Sequence, residues 1–493
     1  MILDHLPALQ VVAPLLAAPL IVLLRSGRAG WLIATLVSWI SLAVAILLFV
    51  QVREAGVISY ALGSWPPPWG IEYRVDAMSS YVLVLVALIA AVVLPYARAS
   101  VIAEVPSDRH YLFYAMFALL LCGLLGIVIT GDAFNVFVFL EISSLSGYVL
   151  IALGRDRRAL RSAFQYLIMG TIGATFYVIG VGLLYLMTGT LNIADMAVRL
   201  AAVEETRPVL AALAFITVGL SLKIALFPLH VWLPGAYAYA PSAVSAFMAG
   251  TVTKVSVYVL LRFVFGVFGV RLALPEIALL DMLMVFSAAA MIVASLVAVY
   301  ERDLRRLLAY SSVAQIGYIT LGLSLANADG MTASVVHLFN HGVTKTALFM
   351  LAGCVVLRLG TCRMEALAGL GRRMPATSLG IVLAGLGLIG VPGTAGFITK
   401  WHLVFAALQD GHWWILGVIA ASSLLAAAYV WRFVEIAYLR TAPAGAAARE
   451  EAPLQWLVPA WALVVASIYF GLDTSFSLSG ARDAAAFMLG GLR

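Results

Sequence analysis

Runs of about twenty apolar residues recur from one end of this chain to the other, with only short polar joints between them. The alternation predicts fourteen helical spans, near 8–24, 31–51, 77–97, 111–130, 133–153, 162–187, 209–227, 240–265, 276–299, 306–325, 331–357, 378–406, 413–439 and 454–472. A helix satisfies its backbone hydrogen bonds internally, so each run suits a membrane crossing. Two of the runs contain breakers. Pro228 follows Ser221–Phe227 and removes a backbone donor where the seventh span should continue. Gly390, Pro392, Gly393 and Gly396 interrupt the twelfth. Both spans are therefore expected to be broken, with freed backbone groups lining a polar cavity near the midplane. The first run has neither a basic leader nor a small-residue cleavage pattern, so it is expected to be retained as a helix.

Composition agrees: the 493 residues are 63% hydrophobic and 11% charged, which fits an all-α polytopic membrane protein with no soluble domain between its spans. An even number of crossings puts both termini on one side, and arginine says which. Eighteen arginines, from Arg25 and Arg28 to Arg440 and Arg449, fall in one set of loops. The other set holds eight: Arg53, Arg74, Arg199, Arg207, Arg262, Arg271, Arg482 and Arg493. Positive-inside bias then predicts a multi-pass protein of the cell membrane with both termini on the outer side. The net charge of +6 is a product of this topology. Spread over short loops, it gives no patch for nucleic acid. Cys122, Cys354 and Cys362 have no metal-ligand or disulfide-framework spacing and are expected to be free and buried. There is no Gly-rich phosphate loop and no cysteine cluster, so no cofactor is expected, and any redox chemistry would belong to partners. Bound quinone is left open.

Lysine is used differently from arginine. All four lysines, Lys223, Lys254, Lys345 and Lys400, lie inside apolar segments. An ammonium at a helix centre costs roughly 3 kcal/mol on insertion scales, so each needs a reason. Lysine gives up its proton when desolvated, whereas arginine keeps its own, and the selective placement points to proton handling. Lys223 and Lys400 each sit beside a break. Glu141, mid-span in the fifth helix, is the best partner for Lys223: held together, each lowers the other's cost, and separation would drive proton release. His337, His341 and Lys345 recur every fourth residue and share one helix face, with Asn340, Thr344 and Thr346 nearby, a pattern suited to a chain of waters and protons. Two histidines at that spacing also suit zinc, but neither a third ligand nor an HExxH glutamate accompanies them, so no metal is expected.

The segment from Phe227 to Lys254 (FPLHVWLPGAYAYAPSAVSAFMAGTVTK) makes the resemblance specific. With the stretch ending in Glu141, it resembles the antiporter-like subunits shared by Mrp-type sodium/proton antiporters, membrane-bound hydrogenases and respiratory complex I, over nearly the whole chain. Glu141 looks like the family's helix-five glutamate, Lys223 its helix-seven lysine, and Lys254 its helix-eight lysine. His337, His341 and Lys345 match the helix-eleven pattern, Lys400 looks like the helix-twelve residue, and Tyr300–Gly317 resembles the loop and helix ten. The resemblance implies two inverted five-helix repeats, at 111–265 and 276–439, after three N-terminal helices (1–110) and before helix fourteen with its tail (454–493). It also implies a relay through the seven residues, other integral membrane subunits as partners, and protons and monovalent cations as the ions handled. The wording around 233–246 is most similar to the D-type polypeptide of Mrp antiporters. Lys400, where the middle complex I pump subunit would have glutamate, and the short tail, lacking the lateral helix of the largest, support that choice. A redox-driven hydrogenase or complex I subunit is the alternative. An intramembrane metalloprotease using His337 and His341, or a structural scaffold, is the reading from another class.

Overall fold

The computed structural model describes residues 3–269, 278–442 and 451–490. Arg271, Arg449 and Arg493, with the first two residues of the ninth expected span, lie outside the described residues. The chain runs α1 (Leu6–Leu24), α2 (Gly27–Ala55), β1 (Ile58–Ala61), β2 (Glu72–Val75), α3 (Ala77–Glu104), α4 (His110–Ile129), α5 (Ala133–Ala152) and α6 (Arg157–Thr188). It continues through α7 (Ile193–Ala201), α8 (Arg207–Ile224), α9 (Trp232–Tyr239), α10 (Ser242–Leu261), α11 (Leu279–Tyr300), α12 (Leu304–Ser324) and α13 (Ala328–Leu359). Last come α14 (Leu370–Arg373), α15 (Pro375–Ile389), α16 (Ala395–Gln409), α17 (Trp413–Val434), α18 (Leu454–Leu472) and α19 (Ser475–Gly490).

Thirteen helices among the described residues are long and apolar enough to cross a membrane. The remaining crossing, twelfth in chain order, is a broken one made of α15 and α16. The seventh is broken too, where α8 gives way to α9. The breaks lie five crossings apart, and an odd number of crossings reverses the second unit relative to the first, as two inverted repeats require.

The seventh span ends earlier than expected. Proline predicts a stop at 228, but α8 closes at Ile224, because Ala225 turns left-handed (φ 61°). That conformation is costly for a residue with a Cβ, so tertiary packing sets the end. In the twelfth span the left-handed turn falls on Gly390 (φ 84°), where no such cost arises. Five further elements have no counterpart among the expected spans. The antiparallel hairpin β1–β2, paired from Ile58 with Val75 to Ala61 with Glu72, follows α2. The short helices α7, α9 and α14 and the tail helix α19 complete the set, α19 packing on α3 and α13.

Centrally, α10 and α13 cross where Gly250 and Gly342 let the backbones meet: a Cβ on Gly342 would lie 3.0 Å from the Gly250 carbonyl oxygen. Small residues permit such approaches between helices in membranes. Around this pair stand α3, α4, α8, α9, α12, α15, α16, α18 and α19. At the hairpin end Asp76 caps α3 through the Met78 and Ser79 amides, and its carboxylate pairs with Arg262 at 2.5 Å, tying α3 to the end of α10. At the opposite end Asp156 caps α6 and pairs with Arg158 in its first turn at 2.8 Å, and that hydrogen bond holds the Asp156 carboxyl below its usual range. Cys122, Cys354 and Cys362 are free and buried.

The two pieces of the twelfth span are packed backbone to backbone: a Cβ on Gly396 would clash with the Gly387 carbonyl oxygen. Gly396→Ala is expected to destabilise the protein by about 1–3 kcal/mol through overpacking. Unfolding in mixed micelles measures this, and an unchanged transition would contradict the tight contact.

Candidate functional site

Six of the seven residues singled out from the sequence are almost wholly buried, and the seventh, Glu141, is partly buried on α5. Each lysine finds oxygen acceptors, but none of those acceptors is a carboxylate. Lys223, one residue before the end of α8, donates from Nζ to Ser144 Oγ on α5 at 2.6 Å. Ser144 lies three residues beyond Glu141, on the same helix face. Glu141 is near enough to interact electrostatically with Lys223, yet no direct ion pair joins them among the described residues, and Glu141 Oε1 is buried with no hydrogen-bond partner. The expected partners are thus brought together across a serine.

Lys254 turns back along its own helix and donates to the Ala249 carbonyl at 2.5 Å, with Thr253 Oγ1 at 3.4 Å. Lys345 reaches across to α12, donating to the Leu308 carbonyl at 2.8 Å and to Ser311 Oγ. Lys400 docks on the end of α15, donating to the carbonyls of Ile389 (2.6 Å) and Leu388 (3.3 Å), and to Ser423 Oγ on α17 (2.8 Å). The last carbonyls of a helix have no partner within it, so the break itself creates the acceptors that Lys400 uses.

Between these lysines lies the histidine stripe. The rings of His337 and His341 are stacked 5.3 Å apart and nearly parallel. His337 Nδ1 meets Thr399 Oγ1 on α16 at 3.0 Å. Its Nε2, both ring nitrogens of His341 and Asn340 Oδ1 are buried without partners. Buried polar atoms of this kind are ordinarily satisfied by internal water, and here they follow one another along a single face. Tyr318 closes the gap on the α16 side: its ring lies 6.0 Å from that of His337, and the Lys400 ammonium sits over it at 4.9 Å. On the other side Lys254 lies within electrostatic range of His341 and Lys345.

The result is one cluster, Lys254, Lys345, His341, His337, Tyr318 and Lys400, with Glu141, Ser144 and Lys223 as a separate group. No side-chain hydrogen bond links Lys223 to Lys254 among the described residues. Instead α9 bridges the two groups: Trp232 Nε1 donates to the Leu222 carbonyl (2.9 Å) and the Tyr237 hydroxyl to that of Met248 (3.1 Å). Ser144, Ser311, Tyr318, Thr399 and Ser423 are not apparent from the sequence. Their signal is weak, since a hydroxyl residue in an apolar run is common, although Thr399 adjoins Lys400 and Tyr318 directly follows the stretch noted through Gly317. Among the described residues no group of three or more His, Cys, Asp or Glu side chains is placed to hold a metal ion.

The match to known proteins runs through this same region. Residues 130–426 match the family described as NADH:quinone oxidoreductase/Mrp antiporter, TM, and they contain all seven residues. The chain belongs to this family. The N-type polypeptide of NADH-quinone oxidoreductase from Desulforudis audaxviator is 42% identical over 484 residues, covering 95% of this chain and 96% of that protein. The D-type polypeptide of the Na(+)/H(+) antiporter of Alkalihalophilus pseudofirmus is 30% identical over 384 residues, covering 78% and 76%. Among solved structures, a chain of the Mrp complex from Dietzia sp. superposes with a TM-score of 0.90 at 26% identity, covering all of both chains. As a member of the NADH:quinone oxidoreductase/Mrp antiporter family, this protein is a multi-pass antiporter-like membrane subunit whose relatives stand in multisubunit complexes.

Within this family member, Ser144 is the contact that ties Lys223 to the helix of Glu141. Ser144→Ala is expected to leave the buried ammonium short of an acceptor, at a cost of about 1.5–3 kcal/mol. Unfolding in mixed micelles measures this, and an unchanged transition in that variant would contradict the hydrogen bond between α5 and α8.

Proposed function

We propose that this chain carries protons across the membrane, from Glu141 and Lys223 through Lys254, His341 and His337 to Lys400. The observation behind the proposal is the continuous row of buried titratable groups between α10 and the break of the twelfth span. Ammoniums docked on carbonyls and hydroxyls, and imidazoles with free nitrogens, are donors and acceptors of protons; they offer a bare cation no anionic cage. The proton is therefore the ion assigned to this chain. The division into 1–110, 111–265, 276–439 and 454–493 puts Lys223 and Lys400 in equivalent breaks of the two repeats, and both termini are assigned to the outer face from the arginine bias.

Two energy sources fit this path. In the first, the chain is the proton-carrying subunit of a multisubunit monovalent cation (Na+)/proton antiporter; the 0.90 TM-score with the Mrp complex and the antiporter relative support it. In the second, a redox arm drives the same path, supported by the 42% identity to an NADH-quinone oxidoreductase polypeptide. Vesicles containing the whole complex separate them. Sodium-driven proton movement without an electron donor is expected for the first reading, and movement only with a donor would establish the second. In either case Glu141→Ala and Lys400→Ala are each expected to lower proton flux at least tenfold, and unchanged flux in both would sink the path.

A further inference from the structure

The face of α13 that carries His341 and His337 continues toward the hairpin end of the bundle at four-residue steps, through Ala333 to Asp329. Opposite it, α16 presents Thr399, His402 and Gln409. Polar rungs join the two helices along this seam. Asn340 Nδ2 donates to the Ala395 carbonyl at 3.0 Å, and His337 Nδ1 meets Thr399 Oγ1 at 3.0 Å. Further along, His402 Nδ1 lies 3.3 Å from Asp329 Oδ1, and Gln409 Nε2 donates to Asp329 Oδ2 at 2.8 Å. At the end, Asn327 Nδ2 donates to the Ala406 carbonyl at 3.0 Å and to Asp410 Oδ2 at 2.7 Å. From Asn340 to Asn327 the seam covers about 20 Å of helix.

The exposures along it are graded. The His337 residue is 3% exposed, the His402 side chain 13% and the Asp329 side chain 34%, so the pair leads from the sealed interior to the surface. Stability alone is a weak reason for it, since partly exposed ion pairs contribute about 0–1 kcal/mol. Thr399 and His402 are three residues apart on one face of α16, which places the pair one helical turn beyond the hydroxyl bonded to His337.

We propose that His402 and Asp329 form the relay pair at the hairpin-side mouth, passing protons between the buried His337–Lys400 stations and the aqueous phase. This inference rests on the proton path proposed above. The His402 imidazole takes a proton arriving from the Thr399 side on one nitrogen and releases the proton on its other nitrogen to the Asp329 carboxylate or to water. Asp329 then returns its proton to water, so no net bond is made or broken. The charged and titratable groups around this mouth are Asp329 and His337 on α13, Tyr318 on α12, Lys400 on α16, Asp410 and His412 in the turn that follows, and the Tyr469–Asp473 pair at the end of α18. No Asp, Glu, His, Lys or Arg lies in α15 or α18, and the single one in α17, Arg432, is at its far end.

The test uses the assembled complex in proteoliposomes, comparing wild type with His402→Gln, Asp329→Asn, Asp329→Glu and Lys400→Ala across pH. His402→Gln and Asp329→Asn are expected to lower proton flux by about a hundredfold, the scale of a lost general acid–base step, and to change the pH profile. Asp329→Glu should keep the wild-type profile, which a merely structural role would not distinguish from Asp329→Asn. If His402→Gln fails to assemble, Asp329→Asn carries the comparison. Wild-type flux and profile in His402→Gln and Asp329→Asn, with Lys400→Ala inactive, would overturn the relay pair and leave the proposed function standing. Wild-type flux in Lys400→Ala as well would overturn both.

Discussion

An ammonium enclosed in hydrocarbon must find oxygen, and the whole interior of this protein is arranged around four of them. Their acceptors are backbone carbonyls and hydroxyls: Ser144 for Lys223, Ala249 and Thr253 for Lys254, Leu308 and Ser311 for Lys345, and Leu388, Ile389 and Ser423 for Lys400. Neutral dipoles solvate a positive charge without fixing it there, whereas a bonded carboxylate would hold the proton in place. Such neutral acceptors are compatible with the proton-carrying role proposed for these lysines.

Glycine supplies the room. Lys223, Lys254 and Lys400 each follow a glycine by four residues, and Lys345 follows one by three. Helical side chains lean toward the N-terminus, so the lysine stem lies over that glycine. The same glycines are where other segments approach: Gly219 against Gly173, Gly250 and Gly342 against each other, Gly396 against Gly387. At the break of the twelfth span the opposing element also supplies the oxygens, the Leu388 and Ile389 carbonyls, whereas Lys223, Lys254 and Lys345 take theirs from α5, from α10 itself and from α12.

Much of this was legible in the chain. Hydropathy gave the crossings, because twenty apolar residues have few other uses, and Pro228 and the 390–396 glycines marked the breaks. The isolated lysines and the four-residue stripe marked residues that the fold buries, most of them in one cluster. The left-handed turn at Ala225, which no residue type announces, moved the end of α8. The hairpin carries a short, mixed pattern of the kind that span-length windows average away. The pairing of Glu141 with Lys223 holds for neighbourhood and not for contact, since the intervening Ser144 is one unremarkable hydroxyl among many. His402 and Asp329 were missed for a related reason: they lie on different helices, and only packing makes them a pair.

In the stretch Ser242–Val267, every residue of the most apolar window is enclosed by protein. Its polar residues, Thr251, Thr253 and Lys254 among them, are tolerated by neighbouring helices and not by the bilayer. During synthesis this segment precedes α13, its principal cover, by about seventy residues of chain. It must therefore wait, partly shielded by α3 and α8, for a later helix to close over it. Retention of this segment in the membrane is then a property of the finished bundle, in which helices made later enclose Lys254.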